Sequence, residues 1–406
     1  MHPIYQCGCR AFQAVFRAAL PILPYRQPKL LDTLEEIIPI LQSRHVCSIL
    51  LVADGTVRDL GLTQSFEHAL ADAGIACHVY EQRTANPTID NVEDARHIYI
   101  QAKAQAQAIV AIGGGSAIDC AKVVGARIAR PRKSVQQMRG LLRVLRSTPL
   151  LIAAPTTAGT GSETTLAAVI TNSKTHHKYP INDFALIPDY AVLDARLTLG
   201  LPPQITATTG LDALTHAIEA YIGRSTNKLT RSMAEEAVKL ICQNLHTAYQ
   251  NGQNLEARQQ MLRAAYCAGI AFTRSYVGYV HGVAHSLGGQ YGIAHGLANA
   301  VILPIFLREY GSACTLKLAR LARKTGVAAA NTDDSTACEM FIRWIEQMNA
   351  DFGLPNAFPQ IRTEDIPHMA RHAAHECNPL YPVPRLMDRR ELETIYHKLM
   401  PLEESI

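Results

Sequence analysis

The feature that most narrows the folds open to this chain is a change of hydrophobic period near residue 200. Before Leu199-Gly200-Leu201-Pro202-Pro203, short apolar runs rich in β-formers alternate with segments of helical spacing. VCSILLVA (46–53) ends at Asp54-Gly55, a helical pattern covers 62–73, and ACHVYE (76–81) reads as the next strand. After the Asn86-Pro87 turn a longer helix is expected over roughly 88–107, then AIVAIGGGS (108–116) and a helix from Ala117 to about Ala129. The runs PLLIAAP (149–155) and Tyr190–Asp194 complete the set of strands. Buried strands that alternate with helices demand a parallel sheet with crossover helices. Past residue 203 the pattern is helical, in stretches such as 208–222, 230–250, 255–273 and 336–351. The expected fold is therefore an α/β domain over 31–199 and an all-α domain over 200–406, preceded by an extension over 1–30.

Composition sets outer limits. A chain of 406 residues holds two or three domains and a large core. Its 48% hydrophobic and 18% charged residues are ordinary for a soluble globular enzyme. The net charge of +4 is spread without a basic stripe, which argues against a nucleic-acid partner. Ten irregularly spaced cysteines read as free thiols in a reducing cytoplasm, the Cys7-Gly8-Cys9 pair included. No segment is long and apolar enough to span a membrane. The apolar patch in AFQAVFRAALPILPYRQP is interrupted by Arg17 and broken by Pro21 and Pro24, so it is not expected to be a signal peptide. It reads as an amphipathic helix packed on the body, with a membrane-surface helix as the alternative.

Three features of the first half suit a phosphate-bearing ligand. Ile112-Gly113-Gly114-Gly115-Ser116 follows a strand and opens a helix, where glycines allow close approach and the helix end offers unpaired N–H groups. Ser116 can cap that helix or donate to a phosphate oxygen, and the strand–loop–helix setting favours a phosphate cradle over a merely tight turn. Asp54, at the carboxyl end of an earlier strand, could accept from the ribose hydroxyls of NAD and repel the 2′-phosphate of NADP, or simply cap a helix. The loop Pro155-Thr156-Thr157-Ala158-Gly159-Thr160-Gly161-Ser162-Glu163 suits a pyrophosphate or nicotinamide ribose, or a capped helix start.

The second half carries the histidines. His281, His285 and His295 fall within fifteen residues, interleaved with glycines. The HxxxH spacing puts His281 and His285 on one helical face, and Gly288-Gly289 can end or bend that helix so that His295 returns toward it. Upstream, GLDALTHAIE places Asp212 and His216 one turn apart, with Glu219 a further turn along, a further ligand candidate but expected rather to be a helix-surface acid. A carboxylate with several imidazoles suits Fe(II) or Zn(II) and is too nitrogen-rich for Mg or Ca. Unrelated histidines on a buried helix would be the bland alternative.

Four stretches together, GGGSAIDCAK, PTTAGTGSE, GLDALTHAIEAY and HGVAHSLGGQYGIAHG, resemble in order and spacing the iron-containing (group III) alcohol dehydrogenases. The resemblance runs from about Lys29 to the Asn378-Pro379 region. It implies a Rossmann-like N-terminal domain, a helical C-terminal domain, Fe(II) with Zn(II) as the alternative, NAD, and a homodimer. By position, the implied metal ligands are Asp212, His216, His281 and His295, with His285 an additional active-site histidine. The implied dinucleotide contacts are Asp54, Asn86, Gly114, Gly115, Ser116, Asp119, Thr156, Thr157, Thr160, Thr165 and Lys178. The expected reaction passes a hydride between a small primary or secondary alcohol, or its aldehyde or ketone, and NAD. The cation serves as Lewis acid, and His285 relays the hydroxyl proton to solvent. A zinc-dependent glycerol dehydrogenase-like polyol oxidoreductase is the rival on the same scaffold, and a non-catalytic metal- and nucleotide-binding sensor the rival from another class. The chain departs from the family at Phe272-Thr273-Arg274-Ser275-Tyr276, where many members resemble Phe-Ser-Asn-x-Gly. Arg274 and Tyr276 are candidates for narrowing the substrate pocket, or else for packing into the interior or an interface.

Overall fold

The computed structural model describes residues 1–84, 86–102, 106–174 and 178–401. In chain order the principal elements begin with α1 (Pro3–Ala19), β1 (Lys29–Leu31), α2 (Ile37–Ser43), β2 (Ser48–Asp54), α3 (Gly55–Asp59), α4 (Gln64–Asp72) and β3 (Ala76–Gln82). There follow α5 (Ile89–Gln101), β4 (Ala108–Gly113), α6 (Gly115–Ala129), β5 (Gly140–Leu141), β6 (Leu150–Pro155), β7 (Ala167–Thr171), β8 (Lys178–Asn182) and β9 (Tyr190–Val192). The remainder is helical: α7 (Pro203–Ile222), α8 (Lys228–Gln250), α9 (Leu255–Ser275), α10 (Tyr279–Tyr291), α11 (His295–Tyr310), α12 (Thr315–Thr325), α13 (Asp334–Asp351), α14 (Ile366–Cys377) and α15 (Arg389–Lys398).

The main sheet has the order β1-β9-β6-β4-β2-β3, and all its pairs are parallel. Its central strands are apolar on both faces because both are covered. Alternate residues of one strand enter opposite cores. Leu50 and Val52 join Ile109, Ala111, Leu151 and Ala153 under α5 and α6. Ile49, Leu51 and Ala53 join Val110, Ile112, Ile152 and Ala154 under α2 and α4. The chain steps from β2 to β3 on one side and to β4 on the other. The carboxyl ends of β2 and β4 therefore flank the point where the strand order reverses, where open α/β sheets collect ligands.

Several details differ from the sequence reading. A second sheet, β5-β8-β7, was not anticipated; its strands β7 and β8 pair as an antiparallel hairpin. Both are short and half-exposed, so their pattern is weak. The helix expected over 88–107 is seen as Ile89–Gln101, opened by a Thr88–Asn91 capping box, and residues 103–105 of that stretch lie outside the described residues. Helix α6 starts at Gly115 with Gly114 as its N-cap, so Ser116 sits inside the first turn and is not the cap.

By packing, the chain forms two units. One comprises Pro24–Leu201 with Asn251–Thr273, the other Met1–Leu23, Pro202–Gln250 and Arg274–Ile406. Most of α9 thus groups with the α/β unit: Gly161 of the threonine loop lies against Gly269, and Tyr266 Oη donates to Pro28 O at 3.0 Å. Helix α1 groups with the helical unit, burying Cys9, Gln13 and neighbouring Leu20. It packs on the body, as the first of the two readings expected. Among the described residues no helix is long and apolar enough to cross a membrane. All ten cysteines are free thiols.

The contact of the threonine loop with α9 tolerates no side chain. A Cβ on Gly269 would overlap Thr164 Oγ1 and stand 3.0 Å from Gly161 O. Gly269→Ala should lower stability by about 1–3 kcal/mol, as overpacking does. Gly8→Ala, in α1 where a Cβ meets nothing within 4 Å, should be neutral or slightly stabilising. Paired thermal denaturation curves check both; equal effects would show the close approach to be unimportant.

Candidate metal centre

The i, i+4 spacing of Asp212 and His216 on α7 fixes their common face before any packing occurs. Packing then brings His281 of α10 and His295, the first residue of α11, to that face. One donor atom from each of the four residues lies within 4.8 Å of all the others. His281 Nε2 is 3.9 Å and His295 Nε2 3.5 Å from Asp212 Oδ1, and the His216 and His281 rings stack at 4.5 Å. Asp212, His216 and His281 are buried, while His295 is partly open. Gly296 lets α11 approach: a Cβ there would run into Thr208 O and meet Asp212 Cβ at 3.5 Å.

Helix α10 does not end at Gly288-Gly289, as the sequence suggested. It runs to Tyr291 and is closed by Gly292, whose φ of 69° is the left-handed C-cap conformation that glycine adopts without strain. Only Ile293 and Ala294 then separate the cap from His295, so the return is tighter than a bend at 288–289 would make it.

Glu219 is the larger correction. It is not a surface acid but is buried. Its carboxylate accepts from Gly278 N at 2.8 Å and Val280 N at 3.0 Å, at the start of α10, and lies 2.6 Å from His281 Nδ1. Gly278 is needed for this docking, because a Cβ would stand 2.5 Å from Glu219 Oε1. Burial pushes the Glu219 carboxyl up to about 7, against the lowering effect of those N–H donors. Burial, reinforced by His216 and His295, holds His281 well below the usual histidine range, so its ring is neutral. With the Nδ1 proton directed at Glu219, the Nε2 lone pair faces the cluster, the arrangement a metal-binding histidine requires.

Asn299, one turn after His295 on α11, also escaped the sequence reading. Its Nδ2 donates to Asp212 Oδ1 at 2.7 Å and lies 3.2 Å from His281 Nε2 and 3.1 Å from His295 Nε2. One amide group has two hydrogens for three acceptors, which leaves the cluster rich in lone pairs. Three imidazoles and one carboxylate so arranged fit a borderline divalent cation such as iron or zinc.

His285 stands beside this set and not within it. Its half-exposed ring stacks on His295 at 5.2 Å, and its Nδ1 lies 2.7 Å from Glu376 Oε1. Burial disfavours its protonation, but Glu376 outweighs this and raises its pKa. Tyr276 is half-buried: its ring meets Phe16 at 5.1 Å and Tyr381 at 6.3 Å, and burial pushes its hydroxyl to about 12. Arg274 is half-buried at the end of α9.

In the α/β unit, the ends of β2, β4 and β6 bring three of the predicted groups together. A Cβ on Gly113 would stand 2.9 Å from Asp54 Cβ; one on Gly115 would stand 3.1 Å from Thr160 Oγ1. Thr156 N donates to Gly113 O, and Gly114 faces Thr157. Asp54 also caps α3 through Thr56 N at 2.9 Å. Asn86 lies on the exposed turn before α5, its carbonyl accepting from Thr84 Oγ1. Lys178 pairs with Thr171, which bridges to Thr88. Asp119 and Thr165 have a different setting: they brace the threonine loop from within. Asp119 accepts from Ser162 Oγ at 2.6 Å and from Val169 N at 2.9 Å, and buried Lys122 donates to Ser162 Oγ, Thr165 Oγ1 and the Thr165 and Ala167 carbonyls. Lys122 went unnoticed in the sequence, where a lysine within GGGSAIDCAK reads as a helix-surface residue.

If Glu219 orients His281, Glu219→Gln should weaken Zn(II) or Fe(II) binding by about 10–100-fold, the usual loss when such a support is removed. Competition titration of the metal-free protein checks this; unchanged affinity in a folded variant would remove Glu219 from the site.

The comparisons with known proteins agree with this geometry. Residues 29–195 match the family described as iron-containing alcohol dehydrogenase, and residues 206–400 match the C-terminal domain of the Fe-containing alcohol dehydrogenase family. A 1,3-propanediol dehydrogenase of Klebsiella pneumoniae is 36% identical over 353 residues, covering 86% of this chain and 90% of that protein. The NAD-dependent methanol dehydrogenase of Bacillus methanolicus is 34% identical over 326 residues, covering 80% of this chain and 85% of that protein. The crystal structure of a 1,3-propanediol oxidoreductase superposes with a TM-score of 0.87 at 33% identity, covering 93% of this chain and 99% of that one. With both halves of the chain matched, and with one aspartate and three histidines gathered at a common point, the protein belongs to the iron-containing alcohol dehydrogenase family and is an alcohol oxidoreductase.

Proposed function

We propose that this chain interconverts a small primary or secondary alcohol and its carbonyl compound with NAD, on an Fe(II) ion held by Asp212, His216, His281 and His295. The convergence of those four residues within 4.8 Å carries the reading. When bound, the cation supplies Lewis acidity at the alcohol oxygen, and NAD supplies the hydride acceptor. The protein's own part is orientation and proton handling. Glu219 keeps the His281 Nε2 lone pair directed at the ligand set, and Asn299 orients Asp212. Glu376 engages His285 Nδ1, so Nε2 is the atom at which His285 takes up the hydroxyl proton and passes it on to solvent.

On the cofactor side, Gly114 and Gly115 admit the pyrophosphate against the start of α6, where the helix dipole favours negative charge. Thr156, Thr157 and Thr160 would offer donors, Asp54 would accept from ribose hydroxyls, and Asn86, Ser116 and Lys178 are the further contacts that the family resemblance implies. Asp119 and Thr165 act by holding the threonine loop in shape. We read the working enzyme as a cytoplasmic homodimer on the family resemblance, and sedimentation velocity tests the assembly.

The decisive experiment is a nicotinamide-absorbance screen of small alcohols and aldehydes, with protein reconstituted in Fe(II) or Zn(II) under oxygen-poor conditions. Turnover with Fe(II) supports the reading. Stoichiometric zinc with no iron-dependent activity would favour the glycerol dehydrogenase-like alternative, and no turnover with either metal would favour a binding protein. Within that assay, His285→Ala should lower kcat by about 100-fold or more while metal content stays unchanged. Full turnover at every pH would end the relay assignment. Asp54→Asn keeps the cap on α3 but removes the charge, and should raise the NADP-to-NAD ratio of kcat/KM at least about tenfold. An unchanged ratio would place the discrimination elsewhere.

A further inference from the structure

Helix α1 lies ahead of both family matches, which begin at residues 29 and 206. Its buried face nonetheless grips the segment that leads to His285. Gln13 Nε2 donates to Pro379 O at 3.0 Å and to Tyr381 O at 2.8 Å. Arg10 donates to Gln13 Oε1 at 2.7 Å, Val383 O at 2.8 Å and Pro384 O at 3.0 Å. Two side chains of one helix thus satisfy four carbonyls of a stretch that follows α14 and has no regular structure of its own. Phe16 adds an aromatic contact to Tyr276, whose ring faces Tyr381.

Tyr381 then reaches the site. Its hydroxyl donates to Glu376 Oε1 at 2.8 Å, and the same oxygen lies 2.7 Å from His285 Nδ1. Two donors on one oxygen fix the carboxylate, and the carboxylate fixes the ring: Nδ1 carries the hydrogen and Nε2 the lone pair. The ring is at the same time stacked on His295.

We propose that α1 is a positioning strap for His285, acting from Arg10 and Gln13 through Tyr381 and Glu376. The proposal rests on the reading of His285 as the proton carrier. Loosening the strap lets Tyr381 withdraw from Glu376, and the imidazole then loses its set orientation and tautomer while the four metal ligands keep theirs. Arg10, Gln13, Tyr381 and Glu376 are positioning residues in this scheme.

The test is a double-mutant cycle on the full-length, metal-loaded enzyme. Arg10→Met with Gln13→Leu should lower kcat at least about tenfold, leaving metal content and the KM for NAD within about twofold. In a His285→Ala background the same pair should change kcat by less than about twofold, because the group it positions is gone. An undiminished kcat, or an equal fall in the His285→Ala background, overturns the strap. Should the pair fail to fold, Tyr381→Phe removes only the hydroxyl and carries the same expectations. A readout independent of turnover is the ¹⁵N spectrum of His285 above pH 8: Nδ1–H in the parent chain, a mixture or Nε2–H in Tyr381→Phe and Glu376→Gln. An unchanged tautomer in both variants also overturns the proposal. If His285→Ala itself turns over normally, the proton-carrier reading falls and the strap's purpose with it; if only the strap variants are silent, the strap alone falls.

Discussion

The helical unit depends on a buried carboxylate meeting the start of a helix. Glu219 would be costly to bury alone, yet it accepts two backbone N–H groups of α10 and faces the His281 Nδ1 proton. The N-terminal end of a helix dipole favours such an anion. That contact ties α7 to α10 at a defined height and rotation. Because Asp212, His216 and Glu219 lie on one face of α7, the same helix supplies two donor groups and the support for a third. Without that contact His281 loses its tie to α7, and only the approach of α11 at Gly296 and the Asn299–Asp212 bond still relate the two halves of the donor set. The absence of a side chain at Gly278 is what permits it.

The α/β unit solves a comparable problem with buried charge of both signs. The threonine loop after β6 must stand against the glycine loop after β4, and its polar backbone needs partners away from water. Lys122 and Asp119, both on α6, supply them from beneath: Lys122 holds Ser162, Thr165 and Ala167, and Asp119 takes Ser162 and Val169. Burial pulls Lys122 down to about 8, yet this group is occupied in shaping the loop. A perturbed ionisable group beside the threonine loop is therefore scaffold here, whereas at His281 the same physics prepares a neutral donor atom.

Much of the molecule was legible in the residues. The central strands β2, β4 and β6 announced themselves because a strand buried on both faces must be continuously apolar. The helices of the second half showed their period, and Asp212 and His216 advertised a shared face. Other features were not readable, for physical reasons. Strands β7 and β8 are half-exposed and weakly patterned, and β1 has only three residues. Glu219 looks like any surface acid of an amphipathic helix, since nothing local reveals that another helix will begin against it. Lys122 and Asn299 were hidden likewise, and Gly292 competed with Gly288 and Gly289 for the end of α10.

By itself, the sequence determined what the local geometry of the chain controls: the period of each element, the i, i+4 pairs, the glycine loops, and the chemical types of donor available. Only the tertiary structure decided which of those donors meet. Glu219 and His281 are 62 positions apart, Glu376 and His285 are 91, and Gln13 and Tyr381 are 368. Contacts over such separations are set by how whole faces pack and by which glycines leave room, and neither quantity is contained in a spacing.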